Sequence, residues 1–110
     1  MNIEEILKPS GLPVIYRRFK QYKNTHLPSP PYITWYIEEE SFRGSDKRNR
    51  IAEKHVIIEL FTVKKDIKTE QAIEKLLNFA FFDKWEDYDS TQGVFVISYE
   101  FDIIEKIKNE

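Results

Sequence analysis

Apolar residues recur along this chain with two different spacings, and where each spacing holds decides the elements it predicts. Between 32 and 38, Ile33, Trp35 and Ile37 alternate with Tyr32, Thr34, Tyr36 and Glu38, a period of two in strand-favouring residue types. Segment 55–63 is apolar on both sides, with Val56, Ile58 and Leu60 against Ile57 and Phe61, which predicts a strand in the middle of a sheet. A third alternation sets Phe95, Ile97, Tyr99, Phe101 and Ile103 against Ser98, Glu100 and Asp102, so 93–103 reads as a strand. A turn at 89–93 joins it to another strand over 81–88. Over 14–19, Val14, Tyr16 and Arg18 alternate with Ile15, Arg17 and Phe19, and Pro13 discourages helix there.

Helical spacing appears twice. Ile3, Ile6 and Leu7 share one face of a short opening helix that Pro9 and Gly11 end. Asp66 or Thr69 caps a longer helix in which Ala72, Ile73, Leu76, Leu77 and Ala80 form an apolar stripe, with Glu70, Glu74 and Lys75 on the wet side. Pro28, Pro30 and Pro31 make 24–31 an extended loop. From 39 to 54 hydrophobicity collapses around a Gly44-Ser45-Asp46 turn, which predicts a long exposed loop or a projecting hairpin. The polar tail 105–110 is expected to fray.

The order helix, strand, strand, strand, helix, strand, strand predicts one α+β domain over 1–110. Its sheet would be mostly antiparallel, with four to five strands, and would carry the main helix and the short N-terminal helix on one face. At 110 residues, 41% hydrophobic and 15% aromatic, the chain has enough bulky apolar matter for one core. Seventeen basic residues against nineteen acidic ones argue against a general nucleic-acid or membrane-surface binder. The absence of Cys removes disulfides, thiolate metal sites and cysteine nucleophiles, and fits a reducing cytoplasm during synthesis. Glu4 and Glu5 make the N-terminus unlike a signal peptide, and no apolar run approaches the ~20 residues of a membrane span.

Candidate chemistry is sparse. His26 and His55 have no neighbouring nucleophile pattern, so His55 is expected to be a surface or half-buried polar residue at a strand start, and no catalytic residue is assigned. The carboxylates of 38–40 and of Glu86, Asp87 and Asp89 fit no metal loop, and Gly11, Gly44 and Gly93 lie too far apart to cradle phosphate; no metal or cofactor is assigned. The one local charge feature is 43–54, where Arg43, Lys47, Arg48, Arg50 and Lys54 face Asp46 and Glu53. Such a segment either touches a phosphate backbone or an acidic partner, or is only a solvated loop. The strand aromatics lack the signature of sheet-based RNA binders and are expected in core and interface packing. Read as an edge strand, 32–38 would pair with a second copy through Tyr32, Thr34 and Tyr36.

Gly11-Leu12-Pro13-Val14 with Tyr16 and Phe19, then Pro30-Pro31-Tyr32-Ile33, then Glu59-Leu60-Phe61-Thr62 with Lys65-Asp66, and last Tyr99-Glu100-Phe101, form an ordered series. That series resembles the small tail proteins of long-tailed phages and prophages of Gram-positive bacteria, specifically their tail terminator or tail-to-head joining proteins. The likeness runs from about 3 to 101 and includes a charged excursion matching 43–54 with an Asp like Asp46; Trp35 and Phe61 stand where relatives often carry Tyr. The resemblance implies a non-enzymatic virion protein, assembled in the host cytoplasm. It would form a ring of six copies on the finished tail tube, stop tube polymerisation and meet the head completion or connector protein. It places the basic excursion near the lumen or an axial face, where DNA passes. The competing reading is a small nucleic-acid-binding or regulatory module using the same basic loop.

Overall fold

The computed structural model describes residues 2–17, 27–43 and 49–108, with side chains except at 43, 49, 50 and 106–108. Its elements are α1 (Ile3–Leu7), a 3-10 turn (Lys8–Ser10), β1 (Val14–Tyr16), β2 (Tyr32–Arg43), β3 (Asn49–Thr62), α2 (Ile67–Leu76), β4 (Asp83–Asp89) and β5 (Val94–Lys108). The strands form one sheet in the order β1-β2-β3-β5-β4. The α+β class and the central place of β3 are as expected. The sheet is mixed, because β1 runs parallel to β2 while the other three pairings are antiparallel.

Register explains the core. Ile33, Leu60 and Ile97 pair across β2, β3 and β5, as do Trp35, Ile58 and Tyr99, and then Ile37, Val56 and Phe101. With side chains alternating between faces, these rows share one side of the sheet. On it α1 sets Ile3 and Leu7, and α2 sets Ile73 and its C-cap residue Leu77, all buried in a single cluster. Asp66 caps α2 by accepting from the Thr69 backbone N–H at 3.1 Å and from its hydroxyl at 2.7 Å. Those two bonds, the hydroxyl's the stronger, hold the Asp66 carboxyl below its ordinary range. The predicted apolar stripe is narrower than its spacing indicated: Ala72 is exposed, and Glu70, read as a wet position, is buried. At the other end of the sheet, Asp89 folds the β4–β5 turn by accepting from Thr91 and Gln92, and Gly93 supplies the left-handed residue with φ 69°.

The 39–54 excursion is a hairpin, longer than the alternation showed: β2 continues to Arg43 and β3 begins at Asn49. The tail expected to fray is instead its third strand, with Asn49 opposite Lys108 and Glu105 opposite Ala52; residues 109–110 lie outside the described ones, as do 44–48, the 24–26 part of the Pro-rich loop and the Phe19 end of the first predicted strand. Phe42, Ile51 and Ile104 are exposed on this three-stranded arm. Backbone ladders hold it together, so its sequence needs no apolar period of two and shows none.

One expectation is corrected outright. β2 is not an edge, for β1 pairs with it through Val14–Ile33, Ile15–Thr34 and Tyr16–Trp35. Tyr32, Thr34 and Tyr36 are buried on the face opposite the helices, at 3%, 0% and 4% exposure. Tyr32 stacks on Phe61 with ring centroids 4.7 Å apart, and the Arg17 guanidinium lies 4.8 Å from the Tyr36 ring while pairing with Glu59. Of the two strands at the ends of the sheet order the longer is β4, with Trp85 and Tyr88 half exposed. No helix among the described residues is long and apolar enough to cross a membrane.

Candidate functional site

Two clusters of charged side chains lie on opposite faces of the sheet. On the helical face, Lys65 and Lys84 converge on the buried Glu70 at 2.7 and 2.8 Å. Lys84 also reaches Glu74 at 2.8 Å, and Lys65 pairs with Glu86. Tyr99 closes the group by donating its hydroxyl to Glu74 at 3.0 Å. Burial pushes the Glu70 carboxyl up, but the bonds to Lys65 and Lys84 outweigh that and hold it below its usual value. Burial first, and then the Glu74 contact, drive the Tyr99 hydroxyl far above its ordinary range, so it remains a donor. This cluster joins α2 to β4, and each carboxylate in it has an ammonium partner.

The other cluster centres on His55, at the base of the arm. His55 sits mid-strand on β3, opposite Glu39 on β2 and Asp102 on β5. Glu100 precedes Asp102 by two residues and so shares its face. A β-bulge between Ile37 and Glu39 shifts the β2 register there, and Glu38 falls within it. The imidazole Nε2 is 2.9 Å from Glu100 and 3.9 Å from Glu38, and Nδ1 is 2.8 Å from Asp102. Hydrogen bonds to Glu100 first and Asp102 second hold the imidazole above its ordinary pKa, against a smaller opposing effect of burial. The donor atoms of Glu38, His55 and Glu100 all lie within 4.8 Å of one another. Chemically, three carboxylates around one imidazole form an electronegative cluster of mixed nitrogen and oxygen donors at the surface, with His55 and Glu100 half-buried and Glu38 and Asp102 exposed.

On the same face an open groove of about 570 Å³ runs past Tyr32, Phe61, Tyr88, Glu59, Asp87 and Asp89, again acidic and aromatic.

The basic residues singled out from the sequence do not gather into a described site. Lys54 pairs with Glu40 and Glu105, each at 3.7 Å, which neutralises it within the arm. The backbones of Arg43 and Arg50 lie at the arm's far end, while their side chains, with Lys47 and Arg48, fall outside the described residues. His55 was visible in the sequence only as a polar residue in an apolar strand. The Glu100-x-Asp102 spacing on the polar side of β5 was the available signal, but the register that brings it to His55 and the bulge at Glu38 are set by tertiary pairing. Compared with known proteins, the chain matches no family model and no curated protein.

Proposed function

We propose that this chain is a structural assembly protein that closes into a ring at the end of a phage tail tube, ends tube polymerisation and joins the tail to the head connector. The ordered segments described above motivate the reading. The observation that carries it is the three-stranded arm, which holds Phe42, Ile51 and Ile104 in solvent away from the chain's own core. Solvent-exposed apolar groups on a projecting element fit burial against another subunit. The second surface is the terminal strand β4, with half-exposed Trp85 and Tyr88, in place of the covered 32–38 strand. Two different surfaces on one subunit are what a heterologous, closing ring requires. The basic tip of the arm would then lie near the lumen or an axial face, where DNA passes. Among the described residues nothing favours the nucleic-acid-binding alternative: Lys54 is matched within the arm, and the face around His55 is acidic.

Sedimentation and negative-stain imaging of the purified chain, alone and with the tail tube protein, test the reading. Rings or caps that are lost in Ile104→Asp are the expected result. A wild-type chain that stays monomeric at high concentration and caps no tube overturns it. So does a ring that places Arg43, Lys47, Arg48 and Arg50 all on its outer rim.

A further inference from the structure

We infer that Glu38, His55 and Glu100 form a binding site for a divalent transition-metal ion of the zinc class, with Asp102 as the residue that orients the imidazole. The donors come from three adjacent strands, β2, β3 and β5, and together offer one ring nitrogen and two carboxylates. That mixed set suits zinc and its neighbours better than calcium or magnesium, which prefer oxygen alone. The separations are right as well. A tetrahedral ion with bonds of about 2.0–2.2 Å has its donors roughly 3.3–3.6 Å apart. The Nε2 distances of 2.9 Å to Glu100 and 3.9 Å to Glu38 bracket that spacing, and all three donors lie within 4.8 Å. Small rotations of the glutamate side chains close the triangle.

Asp102 is a separate argument for the same ligand. It lies 2.8 Å from Nδ1, on the far side of the ring from Glu38 and Glu100. A carboxylate that accepts from Nδ1–H keeps the proton on that nitrogen, so an ion that replaces the Nε2 proton meets a lone pair directed toward the two glutamates, the carboxylate–histidine–metal arrangement that fixes ring orientation and strengthens the ligand. Charge points the same way. Glu38, Glu100 and Asp102 each have His55 as their sole ion-pair partner among the described residues, and the adjacent Lys54 is engaged by Glu40 and Glu105. Three carboxylates sharing one imidazole keep an excess of negative charge that a dication removes. The bulge at Ile37/Glu39 interrupts the β2 ladder at Glu38, which fits the habit of bulges to re-aim a side chain next to a site. Three protein ligands leave a coordination position open at the surface for water or for a group on a partner. A bound ion would fasten β2, β3 and β5 together where the arm leaves the core.

The test uses the full chain stripped of metal by chelation. Zn2+ is titrated calorimetrically, and Co2+ is followed by its visible absorption, which reports the ligand field directly. One ion per chain is expected, with His55→Ala weakening uptake at least 100-fold. Glu38→Gln alters an exposed position that leaves the core intact, and is expected to weaken binding and shift the Co2+ spectrum. Asp102→Asn is expected to weaken binding roughly 10–100-fold while preserving the spectral shape, as an orienting residue should. Circular dichroism verifies that each variant is folded. No saturable uptake by the wild-type chain overturns the inference, and so does uptake that is equal in wild type, His55→Ala and Glu38→Gln.

Discussion

The clusters around Glu70 and around His55 are made of similar parts and obey opposite rules. Around Glu70, three glutamates meet two lysines, and the central carboxylate is 3% exposed. Around His55, three carboxylates meet one imidazole, and the group lies at the surface. Burying Glu70 is tolerable only because both lysines follow it in, which makes the cluster a fastening between α2 and β4. The His55 group is under no such constraint, since solvent screens its excess charge and the fold does not need it neutralised. Charge balance together with burial therefore separates an architectural fastening from a surface cluster with charge to spare, where a count of ionisable residues does not.

Stability measurements on paired variants sharpen this contrast. Glu70→Gln removes a carboxylate from two charged donors and is expected to cost roughly 1.5–3 kcal/mol in urea unfolding. The figure stays below that for a fully buried pair because Lys65 and Lys84 are 39% and 36% exposed at their side chains and partly screened. Glu100→Gln in metal-free protein is expected to change stability by less than about 1 kcal/mol, the range of a solvent-screened ion pair. Equal losses in the two variants would break the distinction.

Acid titration separates the clusters next. The folded Glu70 carboxyl lies below its unfolded value, so it contributes stability that is fully present above the unfolded carboxylate pKa of about 4.3 and is lost as pH falls through the folded one. The gap between wild type and Glu70→Gln should accordingly be constant near neutral pH and shrink as pH drops below about 4. A gap that widens toward low pH would reverse the sign assigned to Glu70.

The apolar face was legible in the sequence because burial writes itself as periodicity: Ile33, Ile58, Leu60, Ile97 and Tyr99 alternate in their strands, and all are buried. Element order and class follow from those runs. What escaped was everything decided between strands. Among the arm's described side chains only Ala52 is buried, so no pattern chose between a loop and a projecting hairpin for 39–54, and 105–108 looked like a tail. The pairing of β1 beside β2 turned an expected edge at Tyr32, Thr34 and Tyr36 into interior. Glu70 was misplaced because helical spacing indicates which side a residue takes but not whether lysines from Lys65 and β4 will cover it. The His55 site needed both a register and a bulge, neither of which leaves a local signature.

The smallest predicted effect is also the one that bears most directly on the comparison, because its sign depends on the ligand. In metal-free protein at low salt, and at a pH high enough to leave the imidazole neutral, Glu38 adds a like charge within 4.8 Å of Glu100 that no cation in the cluster offsets. Glu38→Gln should thus stabilise the chain by a few tenths of a kcal/mol, about what a close like-charge pair costs at a surface. The gain should fade in 1 M salt, where the screening length falls to about 3 Å. With saturating Zn2+ the order should invert, since an ion that binds only the folded state stabilises it by an amount that grows with the logarithm of its affinity, and the wild-type site retains the higher affinity. Thermal unfolding of both proteins, with and without Zn2+, measures the inversion. A Glu38→Gln variant that keeps the same advantage in both conditions would place Glu38 outside the coordination sphere and leave His55 with only Glu100 and Asp102.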